Sequence, residues 1–269
     1  MKALLNIVKE QVNSFYLIQR LAKFQLRIDN QGNYLGFLWE ILNPAIQMAM
    51  YWFIFGYIMR RNQEVDGIPY VYWMLAGISF WFFINKAILQ GSKSIYQKYS
   101  MVAKMNFPLS AIPSYIIMGK YYGHLILLAV LLVIFWFGGF YPSWHYFELI
   151  IFVLWSYVLA FAITLLTSTL TVVIRDLQMI IQSVLQGMFF ISPILWDRSG
   201  SMPDWLQNIL LLNPFYFLAN GYRAGLLTHE WYIINHWELA LYNFALIFVL
   251  LYIGAKAHYK FRDRFSDFV

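Results

Sequence analysis

Six long runs of apolar residues, each free of charged side chains, alternate with more polar segments along this 269-residue chain. The runs are Ile41–Met59, Ile68–Asn85, Tyr121–Tyr141, Leu149–Ile174, Leu177–Trp196 and Leu239–Ala255. A helix needs about 20 apolar residues to cross the hydrocarbon core of a bilayer. The runs also lack the apolar–polar alternation of membrane β-strands. The pattern therefore predicts an all-α, polytopic membrane protein with six transmembrane helices.

The segments between the runs predict three smaller features and divide the chain into three units. Residues 3–28 mix apolar and charged positions at helical spacing, which favours an amphipathic interfacial helix in a cytoplasmic unit at 1–34; a helix packed on a cytosolic partner is the alternative. The transmembrane unit is then 35–258, and 259–269 is a cytoplasmic tail. Within the transmembrane unit, the connection at 91–113 is either a short exposed helix or a solvated loop. In the outer stretch at 197–237, Pro203 and Pro214 predict two short helices that form a re-entrant hairpin.

Lysine and arginine residues set the predicted orientation. With six spans both termini share one side, and that side holds all of the 19 basic residues except Arg60, Arg61, Arg198 and Arg223. Because basic residues collect on the cytoplasmic side, both termini are predicted to be cytoplasmic. The net charge of +6 is then explained by anionic lipid without nucleic acid.

Composition narrows the classes of function further. Charged residues make up 12% of the chain and hydrophobic residues 61%, whereas soluble domains carry about 25% charged residues. The chain has no cysteine and no phosphate-binding loop, and its five histidines show no metal-ligand spacing. We therefore predict no catalytic residues, no metal and no cofactor in this chain. A membrane-bound enzyme is disfavoured, whereas an ion-coupled secondary transporter remains an alternative.

Two polar stripes interrupt the apolar runs. The first run and its border carry Glu40, Asn43 and Gln47, which share one helical face. The fifth run carries Gln178, Gln182 and Gln186, and this row continues towards Phe189 and Phe190. Such groups are costly against lipid and should face a cavity or another helix. The residues alone leave open whether they hydrogen-bond between helices or contact a substrate.

Several segments together resemble the permease subunits of ABC-2-type exporters, in particular those that export polysaccharides and teichoic acids. They are Tyr34–Pro44, Val102–Pro113, Arg175–Asp176, Ser192–Trp196 and Leu212–Phe215 with Arg223 after it. The likeness is greatest to the teichoic acid translocation permeases, and O-antigen and capsule permeases share most of the pattern. The resemblance implies a homodimer that works with two cytosolic ATPase subunits, and these partners would bind the ATP and Mg²⁺.

The resemblance also implies roles for particular residues. The substrate conduit is expected along the two stripes and nearby aromatic rings, at Glu40, Asn43, Gln47, Trp39, Trp73, Gln178, Gln182, Gln186, Phe189 and Phe190. Coupling to the ATPase is expected at Ser94, Ile95, Tyr96, Gln97, Lys98 and Tyr99. A lipid diphosphate is expected to meet Lys23, Arg27, Lys93 or Lys98, although attraction of anionic lipid explains these residues equally well. The expected cargo is an undecaprenyl-diphosphate-linked wall teichoic acid; O-antigen or capsule export, and then drug or lipid export, are the alternatives.

Overall fold

The computed structural model describes residues 2–59, 63–102, 107–197, 203–262 and 265, and almost all of them are helical. Twelve α-helices occur in these residues, namely α1 Lys2–Asn13, α2 Phe15–Asp29, α3 Trp39–Tyr51, α4 Tyr70–Ser92, α5 Ser94–Val102, α6 Ala111–Phe137, α7 Tyr146–Val173, α8 Leu177–Ile191, α9 Asp204–Leu211, α10 Pro214–Arg223, α11 Tyr232–Asn235 and α12 Trp237–Phe261. Short 3₁₀ and π-helical segments adjoin α3 and α10, at Gly36–Leu38, Trp52–Met59 and Ala224–Thr228. Two short antiparallel strands, β1 Glu64–Val65 and β2 Ile68–Pro69, precede α4.

Within the residues that the structure describes, five helical segments are long and apolar enough to cross a bilayer: Gly36–Met59, Tyr70–Ser92, Ala111–Phe137, Tyr146–Val173 and Trp237–Phe261. The sixth predicted span is shorter, because α8 has only 15 residues and Pro193 follows it within two residues. The span positions also differ from the prediction. Lys86 directly follows the predicted end of the second apolar run but lies inside α4. Lys120 directly precedes the predicted start of the third run but lies inside α6.

The helix bundle has two opposite ends. We call the end that carries α1, α2, α5 and the C-terminal end of α12 the terminal face, and the end that carries β1, β2, α9 and α11 the hairpin face. At the terminal face, Glu10 of α1 accepts hydrogen bonds from Ser110, from Tyr259 and from Arg262. Residues 2–29 form two helices that meet at Ser14, where one was predicted.

Helix α4 is the centre of the bundle. In its most apolar stretch 78% of the residues are buried inside the protein, against 17% for Gly36–Met59. It packs against α6, α7, α8 and α10. The first span is therefore largely uncovered by the rest of the chain, whereas α4 is enclosed.

Glycines let α10 approach its neighbours closely. A Cβ atom on Gly221 would lie 2.2 Å from a ring carbon of Phe152, whereas one on Gly187 of α8 would meet nothing within 4 Å. We expect Gly221→Ala to lower the free energy of unfolding by about 1–3 kcal/mol through overpacking. The matched Gly187→Ala should leave it unchanged or raise it slightly. Thermal unfolding of the purified variants compares them, and equal stability would contradict the close packing of α10 on α7.

Candidate functional site

Amide and aromatic side chains of α3, α4 and α8 surround one cavity of about 280 Å³. We call it the glutamine cavity; its lining includes Gln47, Gln182, Gln186, Phe189, Phe190, Tyr51, Trp81 and Asn85. The ring of Phe189 lies 5.3 Å from that of Tyr51 and 5.5 Å from that of Trp81, measured between centroids. The structure thus brings Gln47 of the first predicted stripe together with two glutamines of the second. Amides that donate and accept, set between aromatic faces, suit a ligand rich in hydroxyl groups.

Gln178 belongs to the same sequence stripe but does not line the glutamine cavity. Its side-chain oxygen accepts a hydrogen bond of 2.6 Å from Ser92, and its amide nitrogen donates one of 3.0 Å to the carbonyl of Leu89. Both partners lie at the terminal end of α4. Gln178 therefore fastens α8 to α4, which corrects its expected place in a continuous polar stripe.

Trp73 also departs from the predicted conduit. Its ring is buried beneath the guanidinium group of Arg223, whose central carbon lies 3.4 Å from the ring centroid. The guanidinium group thus covers one face of the ring, and the side chain is only 6% exposed. Trp73 lines a separate polar cavity of about 340 Å³ near the hairpin face.

Glu40, Asn43 and Trp39 line a third space, of about 460 Å³, near the terminal face. We call it the charged cavity; it is lined by Asp29, Asn30, Asn33, Trp39, Glu40, Asn43, Lys86, Gln90 and Lys120. Two ion pairs cross it, Lys120–Asp29 at 2.5 Å and Lys86–Glu40 at 3.3 Å. The conduit residues predicted on the first span are thus divided between the charged cavity and the glutamine cavity.

The basic residues expected to meet a lipid diphosphate lie elsewhere. Lys23 and Arg27 are exposed on α2, Lys93 and Lys98 are half-buried near α5, and none of the four lines the charged cavity. The lysines that do line it are Lys86 and Lys120. A sequence signal existed for both, because each is a lone charge at the border of an apolar run.

Helix α5, the expected ATPase-coupling segment, is partly enclosed. Ser94 and Ile95 are buried, so these two residues are unsuited to contact a partner directly. The ring of Tyr96 lies 4.6 Å from the guanidinium carbon of Arg175, and Tyr99 packs edge-on against Phe265. Gln97 is exposed and Lys98 is half-buried. The available contact surface of α5 is therefore smaller than predicted, and it centres on Gln97.

Arg223 lies at the end of α10 and is only 5% exposed. Its guanidinium group donates hydrogen bonds to the carbonyl oxygens of Trp73, Pro193 and Ile194 and to the side chain of Asn220. Gly77 of α4 gives it room, since a Cβ there would lie 2.4 Å from a guanidinium nitrogen. Arg223 was expected in an external loop; instead it joins α10, α4 and the turn after α8. Arg60, Arg61 and Arg198, the other residues expected on that side, lie outside the described residues.

Tyr222 shows how far α10 enters the bundle. Its hydroxyl contacts Nε2 of His124 at 2.9 Å and Oγ of Ser156 at 3.3 Å. At 1.5 Å per residue, His124 lies about 20 Å from the hairpin-face end of α6. The end of α10 thus reaches about the middle of the long helices.

The carboxylate of Glu148 anchors the chain that follows α10. This buried group accepts hydrogen bonds from the backbone N–H groups of Tyr232 and Ile233, at 2.9 and 2.5 Å. Close by, the hydroxyl of Ser143 contacts Nδ1 of His229 at 2.8 Å. Burial, and then the neighbouring His145, lower the pKa of His229 below its ordinary value. Among the described residues, no three His, Asp or Glu side chains converge as metal ligands.

Known proteins resemble this chain over most of its length. The family described as "ABC-2 type transporter" matches residues 16–227. An "O-antigen export system permease protein RfbA" of Myxococcus xanthus is 26% identical over 98% of this chain and 99% of its own length. Two proteins of the same name from Klebsiella pneumoniae are 26% and 25% identical, over 93% and 97% of this chain and 95% and 98% of their own lengths.

Proposed function

Because this chain belongs to the ABC-2 type transporter family, we propose that it is the membrane-spanning permease subunit of an ATP-driven polysaccharide exporter. The cargo is a polysaccharide of the O-antigen class, carried on undecaprenyl diphosphate. The observation that carries this proposal is the near full-length similarity to permeases named for O-antigen export. The glutamine cavity supports it, since amides and aromatic rings suit sugar hydroxyls and ring faces. These relatives favour O-antigen export over the teichoic acid export expected from the sequence.

A second copy of the chain completes the conduit in this proposal. Gly36–Met59 is largely uncovered in one protomer, and Gln182 and Gln186 of α8 are exposed. Polar amides exposed on an apolar helix are costly against lipid. Pairing two protomers through their α3 and α8 sides would enclose both glutamine cavities between them.

The terminal face is cytoplasmic in this proposal, and two ATPase subunits that bind Mg²⁺ and ATP dock there at α5. The N-terminal helices lie at the same membrane surface, where they contact lipid. Their outward apolar side chains support this placement, because Leu5, Val12 and Tyr16 are all exposed. The α9–α10 hairpin is then at the outer end of the conduit.

Reconstitution with its ATPase tests the proposal. The permease and an ATPase encoded beside it should co-purify, and the permease should stimulate vanadate-sensitive ATP hydrolysis in proteoliposomes. Depletion of the permease in cells should cause lipid-linked polysaccharide to accumulate in the cytoplasm. Export that persists without ATP but collapses with the proton gradient would instead show an ion-coupled transporter. Drug sensitivity without polymer accumulation would show a drug exporter.

Gln97 provides a sharper test of coupling at α5. We expect Gln97→Glu to reduce permease-stimulated ATP hydrolysis several-fold, because it adds a negative charge at the exposed centre of the contact surface. The fold should be unaffected, since Gln97 is exposed. Glu238→Gln at the start of α12, on the hairpin face, is the matched charge-changing control. Full stimulation by Gln97→Glu would place the ATPase contact elsewhere.

A further inference from the structure

We propose that the charged cavity is a binding site for a neutral sugar unit at the terminal face of each protomer. The inference rests on the proposed function, because it assigns one part of the exported polymer to a second site. The cavity lies at the junction of α2, α3, α4 and α6, apart from the glutamine cavity. Its volume of about 460 Å³ falls within the range of about 300–1,000 Å³ for small-molecule pockets.

The chemistry of the lining favours a hydroxyl-rich ligand. Carboxylates accept hydrogen bonds, lysines donate them, and the amides of Asn43 and Gln90 do both. A sugar ring carries hydroxyl groups that both donate and accept. The partly exposed ring of Trp39 adds an aromatic face on which the apolar side of a sugar ring can stack.

The charge balance disfavours a diphosphate in the same cavity. Two lysines and two carboxylates line it, and each lysine is already paired with a carboxylate. A diphosphate would have to displace Asp29 or Glu40 and leave that carboxylate beside its own negative charge. A neutral sugar can instead bridge both members of an ion pair without separating charge.

The cavity is built rather than incidental, because its ionic groups are held in place by packing. The side chain of Lys120 is only 5% exposed and is fixed against Asp29. Glu40 approaches α6 at a glycine: a Cβ on Gly123 would lie 3.1 Å from its carboxylate oxygen. The position of Glu40 thus depends on the absence of a side chain at Gly123.

Saturation-transfer NMR on the full-length permease in lipid nanodiscs tests the inference, with chitobiose and maltose as probes. At least one disaccharide should receive saturation from the wild-type protein. Trp39→Ala and Asn43→Ala should each weaken binding about tenfold, the loss expected for one hydrogen bond or stacking contact. Trp144→Ala, which removes an exposed tryptophan near the hairpin face, should have no effect.

A second pair of variants separates the site from general damage to the fold. Gly123→Ala should displace Glu40 and weaken sugar binding, whereas Gly187→Ala should not. The inference is overturned if neither disaccharide binds, or if binding is indifferent to Trp39→Ala and Gly123→Ala. It is also overturned if inorganic pyrophosphate binds in place of the sugars and Lys86→Met abolishes that binding.

The proposed function can fail independently of this site. If the same preparations export polymer but bind neither disaccharide, the sugar site is wrong and the exporter stands. If they bind sugar in a Trp39-dependent manner but show neither polymer export nor ATPase stimulation, the exporter is wrong and the sugar site stands.

Discussion

Arg223→Met should abolish export and lower the free energy of unfolding by roughly 3 kcal/mol or more, because it removes the four hydrogen bonds that the buried guanidinium group donates. Three of the acceptors are backbone carbonyl oxygens, of Trp73, Pro193 and Ile194. Losing these hydrogen bonds would weaken the attachment of the turn after α8 to α4 and to α10, which Tyr70 and Asn213 also support. Polysaccharide export in cells and thermal unfolding in detergent measure the two effects.

Two comparisons make the Arg223 result specific. Arg223→Lys should recover only a small part of the stability, since one ammonium group cannot reach carbonyl groups on three separate elements. Lys256→Met removes a positive charge from an exposed position on α12 and should leave both stability and export unchanged. Normal export by Arg223→Met would show that α10 needs no fixed attachment to α4 and α8.

The double variant Gln182→Leu/Gln186→Leu should reduce export at least tenfold and leave stability close to that of the wild type. Both side chains are exposed on α8 in the protomer and line the glutamine cavity, so their loss removes polar contacts to cargo but little packing. A loss of about 1.4 kcal/mol of interaction with the moving polymer corresponds to a factor of ten. A quantitative export assay and thermal unfolding measure the two quantities.

Gln178→Leu is the matched control, because it changes the same residue type on the same helix. This variant loses the hydrogen bonds with Ser92 and Leu89, so it should lower stability by about 1–2 kcal/mol. The two variants should therefore show opposite patterns. If both variants lost stability, and if export fell no further than the loss of stability explains, the glutamines would serve packing alone.

The hydropathy pattern located the long helices, because a helix buried in lipid must be apolar over a long stretch. It misplaced the ends of two helices, because it stopped the apolar runs next to a lysine. Lys86 and Lys120 were counted with the basic residues of the cytoplasmic side, at the borders of two apolar runs, since a lone charge inside a span is rare. The structure keeps both inside helices by pairing them with Glu40 and Asp29. Those partners come from a different part of the chain, and no local pattern indicates the pairing.

Helical spacing predicted only part of which polar residues of α8 lie together. Gln182 and Gln186 are four residues apart and share a cavity, whereas Gln178, one turn earlier, meets the end of α4 instead. The role of Arg223 was not predictable in this way. Backbone carbonyl groups accept its hydrogen bonds, and every residue type has such a group.

The positions at which α9 and α10 begin were predictable from proline. Pro203 precedes α9, and Pro214 opens α10 behind Asn213, whose side chain accepts a hydrogen bond from the N–H of Phe215. The depth to which α10 enters the bundle did not follow, because it depends on space at two separate contacts. Gly77 of α4 makes room for Arg223, and Gly221 of α10 makes room for Phe152 of α7.

The contacts of Arg223 also impose an order on the biogenesis of the protein. Trp73 and Arg223 are 150 residues apart, a distance that a ribosome covers in roughly 10–30 s. Until α10 is made, Gly77 and the part of α4 around it lack the side chain that covers them. Because α10 follows α4, α6 and α7 in the chain, its contacts with all three helices form after those helices have been synthesised. The packing of α4, the most enclosed of the long helices, is therefore completed late in synthesis.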